Sequence, residues 1–167
     1  MLKPLCDQMP GRGLGIWIGA LLALATTAAC GNKIGDDCHS SIDCSFDGDR
    51  SCDISQPGGY CTVQGCDARS CPEESMCVRF FPSMFLTQPC DPATEDLSTD
   101  ECPSDELCTE SGLCAPRATE RRYCTLKCSN DGDCRGGYEC RFVGERGSSS
   151  LEPRDLGRAK FCAPRAS

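Results

Sequence analysis

The sequence predicts a small disulfide-rich fold, with two tandem modules of short β-hairpins and loops and little helix beyond the N-terminal region. Two compositional observations support this: 18 of the 167 residues are cysteine, and only 6% are aromatic. Small units that bury little apolar surface need disulfides to offset the conformational entropy lost on folding. Because disulfides persist in oxidising compartments, we expect the chain to leave the cytosol.

The N-terminal residues have the pattern of a signal peptide. Lys3 and Arg12 supply positive charge, and residues 14–29 form an apolar run that ends in small residues. The run is shorter than the roughly 18 to 20 apolar residues of a membrane-spanning helix. We therefore predict that residues 1–29 are a signal peptide and that the mature protein has no membrane span.

The residues around the cleavage site indicate lipidation. The sequence TAAC at 27–30 resembles a bacterial lipobox, which implies a lipid on Cys30. The protein would then be attached to the membrane through this lipid, with residues 30–36 as a tether. Gly31 after the cysteine resembles outer-membrane sorting, which implies a place in the cell envelope, on the periplasmic face of the outer membrane or at the cell surface. The alternative is ordinary cleavage after Ala29, which would give a soluble secreted protein.

The remaining cysteines form an internal repeat. When Cys6 in the signal peptide and Cys30 are set aside, sixteen remain, an even number that can pair completely. They form two sets of eight with nearly the same spacing, which predicts a module at 37–92, an acidic linker at 93–100 and a module at 101–165. We expect no disulfide between the modules. The first set is Cys38, Cys44, Cys52, Cys61, Cys66, Cys71, Cys77 and Cys90; the second is Cys102, Cys108, Cys114, Cys124, Cys128, Cys134, Cys140 and Cys162.

Each set divides again into two units of four cysteines, beginning at Cys38, Cys66, Cys102 and Cys128. We expect two disulfides in each unit, although four cysteines allow three pairings and the spacing does not choose among them. Asp-Gly and Gly-Gly turns separate the strand candidates. These candidates are residues 60–63, 77–81, 138–143 and 159–162.

One unit carries a family resemblance. Residues 128–140 (CSNDGDCRGGYEC) have an acidic turn before one cysteine and a Gly-Tyr pair before the next. The segment resembles the cysteine-rich repeat lipoproteins of myxobacteria and their relatives, with growth-factor-like or Dickkopf-like four-cysteine repeats. The resemblance implies a fold style and an envelope location. First-to-third and second-to-fourth pairing would be the growth-factor-like arrangement, and no activity is implied.

Metal binding and catalysis have little support in the sequence. The closest cysteines, Cys124 and Cys128, do not form a C-x2-C motif, which argues against common zinc, haem and redox sites. His39 is the only histidine, and its loop lacks the arrangement of a catalytic triad. Asp-Gly-Asp at 47–49 and 131–133 suits tight turns better than a calcium loop. We predict no catalytic residue, metal or cofactor.

Two segments are candidate contact surfaces. A basic cluster around Cys124 could bind anionic lipid or polysaccharide, or could simply be solvated; it comprises Arg117, Arg121, Arg122 and Lys127. The segment 77–90 holds three of the six phenylalanines, and exposed apolar patches mark contact sites. The alternative is that these side chains form the core of module one or pack on module two. The candidate binding residues are Phe80, Phe81, Met84, Phe85 and Leu86.

These observations favour a lipid-anchored envelope protein with a structural or recognition role and no catalysis. Its partner would be an envelope or extracellular protein or a polysaccharide. A net charge of −8 argues against nucleic acid. The alternative function is a disulfide-rich protease inhibitor that presents the Cys77 to Cys90 loop, because a rigid loop loses little entropy on binding.

Overall fold

The computed structural model describes residues 31–86, 88–94, 101–151 and 157–166. Over these residues the chain forms nine short strands and very little helix, which confirms the predicted fold class. The strands are β1 (Ser51–Cys52), β2 (Cys61–Thr62), β3 (Ser75–Phe80), β4 (Glu106–Cys108), β5 (Cys114–Pro116), β6 (Arg121–Leu126), β7 (Tyr138–Phe142), β8 (Ser148–Ser150) and β9 (Lys160–Pro164). The helices are α1 (Ser41–Cys44) and three 3-10 turns at Ser83–Phe85, Arg117–Thr119 and Asp131–Asp133.

Eight disulfides join all sixteen cysteines from Cys38 onward, in four units with one topology. In each unit the first cysteine pairs with the third and the second with the fourth. The pairs are Cys38–Cys52 and Cys44–Cys61 in unit 1, Cys66–Cys77 and Cys71–Cys124 in unit 2, Cys90–Cys108 and Cys102–Cys114 in unit 3, and Cys128–Cys140 and Cys134–Cys162 in unit 4.

Unit 3 is inserted into unit 2, so the expectation that no disulfide joins residues 38–90 to 102–162 is wrong. Cys71–Cys124 and Cys90–Cys108 both cross that boundary. The chain leaves unit 2 after β3, forms unit 3 and returns along β6 to complete unit 2. The acidic segment 93–100 therefore lies inside unit 3, between its first two cysteines, and residues 95–100 are outside the described part of the chain.

The third and fourth cysteines of every unit lie directly opposite each other on antiparallel strands. Residues in this position project from the same face of a hairpin, so the two disulfides of a unit leave the hairpin side by side. The opposed pairs are Cys52 and Cys61 on β1–β2, Cys77 and Cys124 on β3–β6, Cys108 and Cys114 on β4–β5, and Cys140 and Cys162 on β7–β9.

A side-chain hydrogen bond closes the first loop of every unit. The residue before the second cysteine accepts this bond from the backbone N–H of the residue after the first cysteine, which holds the two cysteines near each other. The bonds run from His39 to Asp43 (2.8 Å), from Asp67 to Ser70 (2.8 Å), from Asp91 to Glu101 (2.7 Å) and from Ser129 to Asp133 (2.7 Å).

These loop carboxylates should make stability depend on acid pH. Backbone N–H donors hold the pKa of Asp43 and of Asp133 below the ordinary value of 3.8. Because the folded pKa is depressed, this stabilisation is complete above the unfolded pKa and is lost as pH falls through the folded pKa. We expect the Tm to decrease below about pH 4, and the Asp43→Asn/Asp133→Asn double variant to show a smaller decrease. An equal decrease in both proteins would contradict this assignment.

The main core lies where unit 1, the sheet β6-β3-β8 and the hairpin β7–β9 meet. Ile34 is 1% exposed and packs there with Tyr60 and Tyr138. The N–H of Gly35 donates to the carbonyl of Cys61 (2.9 Å). Ile34 and Gly35 are both buried, so over its described residues, 31–36, the predicted tether at 30–36 packs against unit 1 and is not a separate linker.

Cleavage of the acidic segment tests the inserted topology. After cutting at a protease site introduced within residues 95–100, we expect the two fragments to stay covalently joined under denaturing, non-reducing conditions. Two disulfides span that cut, Cys71–Cys124 and Cys90–Cys108. Addition of a reducing agent should separate the fragments on the same gel, whereas separation without reduction would contradict the topology.

Candidate functional site

The structure divides the candidate binding loop into buried and exposed parts. Phe81 is 2% exposed and packs in a small cluster with Leu107 and Ala115 of unit 3. Met84 and Phe85 are 76% and 42% exposed on the 3-10 turn that follows. Leu107 and Ala115 belong to the predicted second module, so Phe81 follows the alternative in which these side chains pack on that module.

The remaining loop residues, Phe80 and Leu86, are both half-buried. Leu86 packs against the cluster of Phe81, whereas Phe80 contacts the hairpin β7–β9. Cys77 and Cys90 bond to different partners, Cys66 and Cys108, so no single disulfide closes the loop.

The predicted basic cluster does not form one surface. Arg121 and Arg122 are adjacent on β6, and successive strand residues point to opposite faces. The Nε of Arg122 donates to Glu120, and the Nζ of Lys127 donates to the carbonyl of Glu73 (2.8 Å). Of this cluster, Arg121 alone faces the cleft described next.

A cleft of about 370 Å³ opens between unit 1, strand β6 and the hairpin β7–β9. Sequence reasoning missed this cleft because three units supply its walls. All three tyrosines of the protein line it, together with two phenylalanines. The aromatic lining consists of Tyr60, Tyr123, Tyr138, Phe80 and Phe161.

Strand alternation places one row of cleft residues on β6. Arg121, Tyr123 and Thr125 alternate along the strand, so they share one face. Phe80 lies opposite Arg121 in the β3–β6 register, and its ring centroid is 6.1 Å from that of Tyr123. The ring of Phe161 on β9 meets Phe80 edge to face, with centroids 5.6 Å apart. Two half-buried rings, Phe80 and Tyr123, therefore border the opening.

Arg135 packs against two of the tyrosines that line the cleft. The rings of Tyr60 and Tyr138 stack at 5.6 Å, and the guanidinium lies 5.7 Å and 4.3 Å from their centroids. Arg135 donates to the Tyr138 hydroxyl (2.6 Å) and to the carbonyls of Pro57 (2.8 Å) and Gly59. Burial raises the pKa of Tyr60 to about 12. This contact fixes unit 4 against unit 1.

Internal hydrogen bonds occupy most polar groups of the cleft. The Thr62 hydroxyl donates to the carbonyl of Cys124 (2.8 Å), and the Tyr60 hydroxyl accepts from the N–H of Leu126 (3.0 Å). Asp53 accepts from both the N–H (3.0 Å) and the hydroxyl (2.6 Å) of Ser55. These groups stabilise the walls of the cleft.

Arg141, also in the lining, is paired as well. It donates to the carboxylate of Glu139 (2.6 Å) and to the carbonyl of Pro164 (2.8 Å). Within the described residues, three side chains of the lining make no hydrogen bond: the Arg121 guanidinium, the Tyr123 hydroxyl and the Gln56 amide. The cleft therefore offers one unpaired cation and two neutral polar groups beside its aromatic rings.

The sulfur groupings do not form metal sites. Four sets of three cysteines have their sulfurs within 4.8 Å of one another. Each set contains both partners of one disulfide and one cysteine of the neighbouring disulfide, for example Cys38, Cys52 and Cys44. Metal binding by cysteine requires the thiolate, which a disulfide does not provide.

No protein-family model, curated protein or solved structure matches this chain. In the described ranges, no helix is long and apolar enough to cross a membrane. The cleft and its side chains are therefore the basis for the functional proposal.

Proposed function

We propose that this protein is a lipid-anchored component of the bacterial cell envelope, that it acts in recognition without catalysis, and that the cleft is its binding site. The observation that supports this is an aromatic-lined cleft of about 370 Å³ with Arg121 unpaired on one side. Concave sites that are mostly apolar with a few oriented polar groups are typical of ligand binding.

The side chains of the cleft favour binding over catalysis. Its described lining contains no histidine and no free thiol. The hydroxyl of Ser55 donates to the weakly basic Asp53 carboxylate, and the described lining has no histidine or lysine to act as a stronger general base. The site can provide ring stacking, hydrogen bonds and one positive charge.

Complete cysteine pairing supports the lipid anchor. The eight disulfides use every cysteine from Cys38 onward, so Cys30 has no partner among them. Cys30 and the signal peptide 1–29 lie outside the described residues. A lipoprotein carries two or three acyl chains at such a cysteine, and more than one chain is needed for firm attachment.

Detergent phase partitioning tests the anchor. We expect the wild type in the detergent phase and Cys30→Ala in the aqueous phase, because the variant loses its acceptor for lipid. An unchanged partition would overturn the anchor and would favour a soluble secreted protein.

A capture experiment tests the cleft. The wild type, Arg121→Ala and Arg117→Ala should be compared as baits on a solubilised envelope fraction. Arg117 is a matched control because it is an exposed arginine on a neighbouring turn outside the cleft lining. We expect Arg121→Ala alone to reduce capture of the bound component, whereas equal capture by all three would contradict a role for the cleft.

A protease inhibitor is the second candidate, and the exposed side chains of Met84 and Phe85 favour it. They project from a 3-10 turn beside the buried Phe81, which would hold the turn in place. Inhibition of a panel of proteases by the wild type, and its loss in Met84→Ala/Phe85→Ala, would support this function over binding at the cleft.

A further inference from the structure

We propose that the cleft binds an acidic saccharide, a pyranose ring whose carboxylate pairs with Arg121 and whose apolar face stacks on Tyr123. This inference rests on the proposed recognition function and adds the chemistry of the ligand. The site consists of Arg121, Tyr123, Phe80 and Gln56.

The size of the cleft suits one or two sugar rings. Its volume is about 370 Å³. This volume lies at the lower end of the range of volumes found for small-ligand sites. The cleft is open to solvent, so a longer chain can extend from it.

The half-buried rings and the unpaired polar groups match the two kinds of surface on a sugar. Tyr123 and Phe80 are only half-buried, so they present ring surface at the opening, against which the C–H face of a pyranose can pack. The amide of Gln56 both donates and accepts, and the Tyr123 hydroxyl does the same. Sugar hydroxyls also do both, which suits these two partners.

Arg121 supplies the unpaired positive charge of the cleft. The other arginines at or beside the cleft already have acidic, hydroxyl or carbonyl partners: Arg141 pairs with Glu139, Arg122 with Glu120, and Arg135 with Tyr138 and two carbonyls. Arg121 has no partner among the described residues. A guanidinium binds a carboxylate through two parallel hydrogen bonds, and this geometry is specific.

The surroundings favour a carboxylate, with one negative charge, over a phosphate monoester, which carries nearly two. Asp53 lines the same cleft, Glu139 pairs with Arg141 beside it, and the chain has a net charge of −8. A more highly charged anion would meet stronger repulsion from this field. One carboxylate per ring matches one free arginine.

Binding of defined saccharides to the mature lipidated protein in detergent tests the proposal. The probes are digalacturonate and the neutral digalactose of the same linkage, measured by calorimetry at low and moderate salt. We expect digalacturonate to bind at least tenfold more tightly than digalactose. We also expect this preference to shrink as salt screens the pair.

Three variants assign the roles of the residues. Arg121→Ala should lose the tenfold preference, and Arg117→Ala should keep it. Tyr123→Ala should weaken both probes by similar factors, because stacking does not depend on the carboxylate. Each variant should retain all eight disulfides and a cooperative thermal transition, which excludes misfolding as the cause.

The outcomes separate this inference from the proposed function. Equal affinity for the two probes, or binding of neither, would overturn the acidic saccharide. If Arg121→Ala still reduces capture from the envelope, the cleft keeps its recognition role and another ligand class applies. Tight binding of an aromatic dipeptide with a free carboxylate, in place of digalacturonate, would identify a peptide ligand. If digalacturonate shows no preference and Arg121→Ala captures as much envelope component as the wild type, the proposed function is overturned as well.

Discussion

Gly59→Ala is expected to prevent unit 1 from closing correctly. A Cβ at this position would lie 2.0 Å from the carbonyl oxygen of Cys38 and 3.0 Å from its sulfur. Gly59 also has a φ of +69°, a conformation that side chains rarely adopt. Since the obstructing atom belongs to the backbone, the turn and the Cys38–Cys52 disulfide must both move to make space.

Gly65→Ala is the matched control for this prediction. Its φ is +70°, but no atom lies within 4 Å of the added Cβ, so it carries only the left-handed cost of about 1–2 kcal/mol. We expect complete disulfides and a Tm lower by roughly 2–8 °C in the control. Gly59→Ala should show free or mispaired Cys38 and Cys52 by mass spectrometry. Native pairing with the Tm of the control would contradict the steric argument.

The local sequence was sufficient to predict the positions of several hairpin strands. The strand candidates at 60–63, 77–81, 138–143 and 159–162 coincide with β2, β3, β7 and β9 to within a few residues. In these segments aromatic and β-branched residues flank a cysteine, a composition that fits a half-buried pleated surface. The side chains themselves favour the extended conformation there.

Strands β6 and β8 were missed because their stability comes from their neighbours. β6 begins with two arginines, and β8 is three serines that read as a loop. Ser148, Ser149 and Ser150 are nevertheless buried, because β8 pairs with β3 and Arg79 donates to Ser149 (2.9 Å). Such strands form only when a partner strand supplies the hydrogen bonds. The residue pattern within the segment does not reveal which distant strand that partner is.

The inserted unit was missed for a different reason. Taken in chain order, Cys66 to Cys90 and Cys102 to Cys124 form two consecutive series of four cysteines, which is why units were expected to begin at Cys66 and Cys102. In the structure Cys124 instead completes the unit that begins at Cys66, and Cys90 begins the inserted unit. The distinction depends on Cys71 and Cys124, which bond across 53 residues of sequence. Only the register of β3 with β6, which brings Cys77 opposite Cys124, shows that these strands close one unit.

The cleft left a partial signal in the sequence. Tyr60 and Tyr123 both directly precede a cysteine that is fourth in its unit, and Tyr138 lies two positions before a third cysteine. The matching positions of Tyr60 and Tyr123 agree with the cysteine repeat. That all three tyrosines meet in one cavity depends on how units 1, 2 and 4 pack, which the spacing does not specify.

Phe81→Ala is expected to lower the free energy of unfolding by about 3–5 kcal/mol, the usual cost of removing a buried phenylalanine. The side chain is 2% exposed and fills the contact between β3 and unit 3, where it meets Leu107, Ala115 and Leu86. Its N–H also donates to the carbonyl of Gly147 (2.8 Å), a bond that the substitution leaves in place. The loss should therefore reflect packing alone.

Phe85→Ala provides the comparison, because this ring is 42% exposed and its removal should change stability by less than about 0.5 kcal/mol. Denaturant unfolding of the oxidised proteins measures both variants. Since Cys90–Cys108 and Cys102–Cys114 constrain unit 3 internally, we expect Phe81→Ala to loosen its contact with β3 while its disulfides stay intact. Faster limited proteolysis around residues 82–94 would reveal this loosening. Equal stability of the two variants would mean that Phe81 is not the anchor of the loop, and the inhibitor hypothesis would lose the support of a fixed turn.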